Sequence, residues 1–146
     1  MKAIWNILKW TVFLPITLLV LWLMPSPAEA KSFNEQYFTE QLANNHGFDL
    51  ATGTREFRPD LMRDGVVVEV DWEKKIYEGI GQSLVYAHEF KRAPGIVILN
   101  DKMVGHNIDK YLPAIHSLNV KVWIANVCKD TGVIYSVTHI EADEKQ

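Results

Sequence analysis

A two-residue turn, Asp64-Gly65, constrains the fold of this chain more than any other feature. Asp-Gly between alternating residues is typical of a two-residue β-hairpin loop, because both positions tolerate positive φ. If these residues form the loop, Arg63 lies opposite Val66. Counting outwards from that pair, Asp60 lies opposite Glu69. The sequence therefore predicts two antiparallel strands around this turn.

This register separates apolar from polar side chains on the two faces of the hairpin. A slip of one residue would place the charges on the apolar face, so the pattern itself supports the register. The apolar face carries Phe57, Pro59, Leu61, Val66, Val68, Val70 and Trp72, and the polar face carries Glu56, Arg58, Asp60, Met62, Val67, Glu69, Asp71 and Glu73.

The polar face places two carboxylates opposite each other. The Cβ atoms of Asp60 and Glu69 would lie about 4.5–5.5 Å apart. Carboxylates this close repel each other unless a cation lies between them, and oxygen ligands suit Mg²⁺ or Mn²⁺ better than Zn²⁺. Asp71 is a further candidate ligand, with an ion pair to Arg58 as the alternative. A solvated face on which the acids simply meet water is the alternative to a metal site.

A helix follows the hairpin over residues 73–92, and Pro94 and Gly95 are expected to end it. Its polar face leads out of the acidic strand, so a lysine there can place a water or neutralise a phosphate. An ordinary solvated helix face is the alternative. The apolar stripe carries Ile76, Ile80, Leu84 and Ala87, and the polar face carries Lys75, Glu78, Gln82 and Tyr86.

The remaining pattern predicts an α/β fold, a mixed β-sheet flanked by helices. Short runs rich in Ile and Val are typical of parallel strands buried on both faces. The first helix is expected to begin with a capping box of Ser32 and Glu35. The predicted elements are this helix to Gly47, the hairpin, the helix over 73–92, strands over 95–99, 120–125 and 132–138, and a helix over 106–118 kinked at Pro113.

Residues 1–30 have the order of a secretory signal peptide. Lys2 and Lys9 flank the first apolar residues, a longer apolar run follows, and Ala28-Glu29-Ala30 provides a cleavage site. We expect an exported domain of residues 31–146, periplasmic or secreted. The alternative is an uncleaved membrane anchor, since residues 4–24 are about long enough to span a bilayer, with an envelope protein as partner.

Charge and composition limit the partners of this domain. Residues 31–146 carry 13 basic and 17 acidic residues, a formal net charge of −4, which counts against a protein that coats duplex DNA. The five histidines lack the spacing of a zinc site, so zinc is not expected. Cys128, the single cysteine, cannot form an intramolecular disulfide and is expected to be buried and inert.

An ordered set of short motifs runs from Glu56 to Leu99. The set resembles the PD-(D/E)XK nuclease superfamily, in particular its RecB-type branch and a group of small bacterial proteins with that predicted fold. The resemblance implies a restriction-endonuclease-like order α-β-β-α-β-α-β. The motifs are Arg58-Pro59-Asp60, Glu69-Val70-Asp71, Lys74-Lys75, Gly81-Gln82-Ser83-Leu84-Val85-Tyr86 and Pro94-Gly95-Ile96-Val97-Ile98.

The resemblance also implies roles for individual residues. Asp60 matches the first metal-binding acid, and Glu69 matches the acid of the Glu-x-Lys motif. Gln82 and Tyr86 match the motif on the following helix.

One position departs from the family pattern, because Asp71 stands where the motif has its lysine. The resemblance implies that the neighbouring helix can supply this lysine, from Lys75 or else Lys74. Superfamily members often carry a further acid on the first helix, for which Glu40 is the candidate.

These expectations combine into one function with one alternative. The first is an exported nuclease that hydrolyses nucleic-acid phosphodiesters with Mg²⁺ or Mn²⁺ held by Asp60 and Glu69, while Lys75 places water or stabilises charge. The alternative is a non-catalytic binding or structural domain that keeps the fold, favoured by Asp71 at the lysine position and by the acidic charge.

Overall fold

The computed structural model describes residues 33–53, 57–101 and 108–141. The predicted signal peptide or anchor, together with Ser32, Glu56 and His106, lies outside the described residues, and the signal peptide or anchor therefore stays a prediction. Among the described residues, no helix combines the length and apolar character needed to cross a bilayer.

Within the described residues, six strands form one mixed sheet, and their order in the sheet follows their order in the chain. The three strands β3, β4 and β5 are parallel, whereas the pairs β1–β2, β2–β3 and β5–β6 are antiparallel. The predicted mixed sheet of an α/β fold is thus confirmed. The strands are β1 (Asp49–Leu50), β2 (Leu61–Arg63), β3 (Val66–Trp72), β4 (Ala93–Asp101), β5 (Lys121–Cys128) and β6 (Val133–Ile140).

The helices agree with the predicted order, to which the short strand β1 is an addition. A single 3₁₀ turn, Glu73–Lys75, leads into the longest helix. Pro113 lies in the first turn of the shortest helix, where a proline costs no hydrogen bond. The helices are α1 (Glu35–Asn45), α2 (Ile76–Phe90) and α3 (Leu112–Ser117).

The hairpin turn has the predicted geometry and register. Both turn residues have positive φ, 48° for Asp64 and 79° for Gly65, as a type I′ turn requires. The paired residues are Arg63 with Val66, Met62 with Val67, and Leu61 with Val68.

Two predicted helix ends were wrong. The N-cap of α1 is Asn34, whose side chain accepts a hydrogen bond from the N–H of Tyr37 at 3.0 Å, so the capping box from Ser32 does not describe this helix. The C-terminal end of α2 also differs from the prediction. This helix ends at Phe90, because Lys91 takes the left-handed conformation with φ of 50°. Residues 94 and 95 belong to β4 instead.

The core has two layers, one on each face of the sheet, so β3 is buried on both sides. The alternative of a solvated polar face is therefore contradicted for β3, because α2 packs over it. One layer contains Phe38, Leu42, Val66, Val68, Val70, Val97 and Leu99, and the other contains Ile76, Ile80, Ile96, Ile98, Ile115 and Val122.

Candidate functional site

Glu69 and Asp71 lie on the face of β3 that α2 covers. Only 6% of Glu69 and 4% of Asp71 is exposed. Gly79 of α2 lies directly over Asp71, so closely that a Cβ there would be 3.1 Å from the Asp71 Cβ. These two acids are therefore buried, and the interpretation as a solvated hairpin face is contradicted for both.

Asp60 lies beside Glu69, one residue before β2 begins. Its Oδ2 accepts a hydrogen bond from the N–H of Val70 at 2.9 Å, which ties the loop before β2 to β3. The Asp60 carboxyl also forms a hydrogen bond with the Glu69 carboxyl. The hairpin register thus does bring together the two acids that it places opposite each other.

These two carboxyl groups cannot both be ionised easily. Burial, followed by the charge of Asp60, raises the pKa of Glu69 to about 9. Burial also raises the pKa of Asp60, although the Val70 N–H and the Glu69 carboxyl oppose that rise. At neutral pH the pair therefore shares a proton, with Glu69 as its main carrier.

One oxygen of this pair lacks a hydrogen-bond partner. The Oε1 atom of Glu69 is buried, and no group of the described residues donates a hydrogen bond to it. A buried polar atom without a partner is costly, so its retention calls for an explanation such as a bound ion. The oxygen-only donors at this point are of the kind that Mg²⁺ or Mn²⁺ takes.

A second pair of carboxyl groups, Glu35 and Asp71, lies beside the first. Burial, followed by a hydrogen bond to the Asp71 carboxyl, raises the pKa of Glu35 to about 7. Burial raises the pKa of Asp71 as well, against the opposing effects of Glu35, Lys75 and the Trp72 N–H, which donates to Asp71 Oδ1 at 2.9 Å. This pair also shares a proton.

The positive charge of Lys75 compensates the negative charge of the second carboxyl pair. Its Nζ lies 3.7 Å from Asp71 Oδ1 and 3.9 Å from Glu35 Oε2. The charges of Asp71, Glu35 and Glu78 raise the pKa of Lys75, which therefore stays a cation. Lys75, and not Arg58, is thus the cation beside Asp71, while the Arg58 charge lowers the pKa of Asp60.

Of the two residues of the predicted helical motif, Tyr86 lies near the acids and Gln82 is exposed to solvent. Tyr86 packs edge-on against Phe57, with ring centroids 6.4 Å apart. Burial and the nearby charges of Glu69 and Asp60 raise the pKa of Tyr86, which places its phenol beside the first carboxyl pair. Gln82 is exposed one turn earlier on α2.

A cavity of about 390 Å³ adjoins both pairs. Among the described residues that line it, Arg58 is the one basic side chain, beside the acids Glu35, Glu40 and Asp60. Glu40, the predicted acid of the first helix, lines this cavity and accepts a hydrogen bond from Gln36 at 3.2 Å. The lining residues are Glu35, Gln36, Thr39, Glu40, Leu50, Ala51, Arg58, Pro59 and Asp60.

Glu35 was not predicted as a site residue, because the sequence assigned it to a capping box with Ser32. Its partners Asp71 and Lys75 are distant in the chain, and no local pattern connects them. The position of Glu35 in the first turn of α1 was the available signal.

Within the described ranges, no group of three or more His, Cys, Asp or Glu side chains is arranged to hold a metal ion. The acids pair with each other through protons instead of converging on one point. A metal set of Asp60, Glu69 and Asp71 stays a prediction.

Cys128 is buried, as predicted. Two asparagines, Asn100 of β4 and Asn126 of β5, are joined by side-chain hydrogen bonds: Asn100 Nδ2 donates to Asn126 Oδ1 at 2.8 Å, and Asn126 Nδ2 donates to Ser136 Oγ at 2.9 Å. They form a ladder of side-chain hydrogen bonds across β4, β5 and β6.

Comparisons with known proteins found no matching family model, no matching curated protein and no matching solved structure.

Proposed function

We propose that this chain is a divalent-metal-dependent nuclease, a phosphodiesterase that acts on nucleic acid. The buried Glu69 carboxyl carries the proposal: it is paired with Asp60 and has one oxygen, Oε1, without a partner. Buried acids with strongly raised pKa values concentrate at functional sites, because ordinary stability selects against them.

The order of elements supports a restriction-endonuclease-like core. Helix α1, the strands β1 to β3, helix α2 and strand β4 follow one another, and the two acids of the motif lie before β2 and within β3. Tyr86 of the helical motif faces these acids, and its phenol is a candidate to position a substrate group.

Each residue has a separate part in the proposed reaction. Asp60 and Glu69 would hold Mg²⁺ or Mn²⁺ once the proton between them is lost. When bound there, the ion would polarise a phosphodiester and acidify an attacking water. Lys75 would contribute a fixed positive charge next to the developing negative charge on the phosphate.

A non-catalytic binding domain is the second candidate, and one contact favours it. Lys75 already pairs with Asp71 and Glu35, so in this arrangement its charge is not directed at a substrate. The two candidates differ in whether phosphodiester bonds are broken.

A cleavage assay separates the two candidates. The purified protein is incubated with single-stranded DNA, duplex DNA and RNA, in Mg²⁺, Mn²⁺ or EDTA. We expect cleavage with either metal ion, none in EDTA, and a loss of at least about 100-fold in Asp60→Asn and Glu69→Gln. Glu89→Gln, an exposed acid near the end of α2, is the matched control and should cleave as the unmodified protein does.

The nuclease proposal fails if no substrate is cleaved by folded protein, or if both site variants cleave at the control rate. Circular dichroism of each variant checks that it is folded.

A further inference from the structure

The two carboxyl pairs differ in how their negative charge is compensated. In the pair of Glu35 and Asp71, the Lys75 ammonium lies within 4 Å of both carboxyl groups, at 3.9 Å and 3.7 Å. In the pair of Asp60 and Glu69, none of the ion pairs of the described residues reaches either acid. One pair therefore has a resident cation and the other has a proton and an unpartnered oxygen.

Lys75 is held in this place by the start of α2. It is the residue at which the 3₁₀ turn passes into the helix, and the helix is clamped against β3 one turn later. At Gly79 a Cβ would lie 2.9 Å from Ile96 Cδ1 and 3.3 Å from Asp71 Oδ2. Because Gly79 has no Cβ, the backbone of α2 packs closely against Asp71, and this packing positions the base of the Lys75 side chain relative to that acid.

A second metal ion beside Asp71 would have to displace this ammonium. Two acids with an ammonium between them gain little from a divalent cation, which would also be repelled by the lysine charge. The same acids without the lysine would resemble the first pair, in which the Arg58 charge acts on Asp60 but no ion pair of the described residues reaches either carboxyl group.

From this contrast we infer that the site takes one divalent cation, held by Asp60 and Glu69, and that Lys75 stands in place of a second ion between Asp71 and Glu35. The inference rests on the proposed metal site and limits it. Asp71 is then the ion-pair partner of Lys75 and is not a metal ligand. Lys75 is a positioning residue, because it acts by holding Asp71 and Glu35.

The number of bound ions tests this. Mn²⁺ is titrated into the full chain, with free Mn²⁺ measured by electron paramagnetic resonance and binding heats measured by calorimetry. We expect one ion for the unmodified protein and two for Lys75→Met. Lys75→Arg, which keeps the charge, should bind one ion, and so should the control Lys74→Met, whose lysine is exposed next to the site.

Two ions bound by the unmodified protein would overturn the inference and leave the proposed nuclease site intact. One ion bound by Lys75→Met, or two by Lys74→Met, would also overturn it. If folded protein and all variants bind no Mn²⁺, the proposed metal site itself fails. Lys75 is exposed over 46% of its side chain, so its substitution is compatible with folding, which circular dichroism checks.

Discussion

Glu69 has an ionisable carboxyl in a place where ionisation is costly. Its side chain is buried under α2, its neighbour Asp60 is another acid, and one of its oxygens has no hydrogen-bond partner. Such a residue weakens the fold in the absence of a ligand, since an uncharged side chain of the same shape would avoid the cost. At this position the proposed metal site therefore requires an acid, whereas the stability of the fold favours an uncharged side chain.

Replacing this acid separates the two effects. Glu69→Gln keeps the shape and cannot ionise, so in EDTA at pH 8 we expect its free energy of unfolding to rise by about 1–3 kcal/mol. Urea unfolding followed by tryptophan fluorescence measures the change. The same variant should lose any stabilisation that Mg²⁺ gives to the unmodified protein.

Glu89→Gln on α2 is the control and should change neither quantity by more than about 0.5 kcal/mol, because Glu89 is exposed. A clearly destabilised Glu69→Gln would show that the Glu69 carboxyl is needed by the fold itself.

Sequence reasoning placed some of these residues and missed others for physical reasons. Asp60 and Glu69 were found because a hairpin register is a local property that follows from the turn. Glu35 was missed because its contact with Asp71 depends on how α1 docks on the sheet. The burial of Asp71 was missed too, since alternation along a strand does not reveal which helix will cover it.

At the level of elements, the contact between α2 and β3 positions the site. The helix approaches β3 closely at Gly79, while Gly81 points to open space. Both glycines lie in the same helix and have helical backbone, so they form a matched pair. A methyl group added to each probes packing at one and helix propensity at the other.

The two alanine variants should change stability in opposite directions. In Gly79→Ala the new Cβ would lie 2.9 Å from Ile96 Cδ1 and 3.1 Å from Asp71 Cβ, so we expect a loss of about 1–3 kcal/mol. In Gly81→Ala nothing lies within 4 Å of the new Cβ, so we expect a gain of about 0.5–1 kcal/mol from helix propensity. Chemical unfolding of both variants at one pH provides the comparison.

Equal effects of the two substitutions would contradict the close packing of α2 on β3. Gly79→Ala should also weaken Mn²⁺ binding, because a displaced helix disturbs the buried surroundings of Glu69, whereas Gly81→Ala should leave it unchanged.

On the scale of the whole molecule, the element order was largely predictable and the layer arrangement was not. The parallel strands β4 and β5 followed from short apolar runs, and the hairpin from its turn. The capping by Asn34 and the early stop at Lys91 depend on single backbone conformations that several sequences can satisfy. The two-sided burial of β3 follows only when α1 and α2 are both docked.

Protons, metal ions and folding are linked through the buried acids. The pKa of Glu69 is raised to about 9 and that of Glu35 to about 7, from ordinary values of 4.5, so the folded protein keeps protons that the unfolded chain releases. Stability in EDTA should therefore fall as the pH rises from about 4.5 to about 9, with Glu69 dominating above pH 7. A difference of one bound proton changes the free energy of unfolding by about 1.4 kcal/mol per pH unit.

Metal binding should change this dependence. An ion between Asp60 and Glu69 replaces their shared proton, so its affinity should rise about tenfold per pH unit up to about pH 9, and about one proton should be released per ion bound. Urea unfolding at pH 6, 7.5 and 9, with EDTA or saturating Mg²⁺, should show a slope that flattens in the metal ion. Calorimetry in buffers of different ionisation enthalpy counts the protons. In Glu69→Gln both the slope above pH 7 and the proton release should disappear, and a slope that survives there would assign the linkage to other groups.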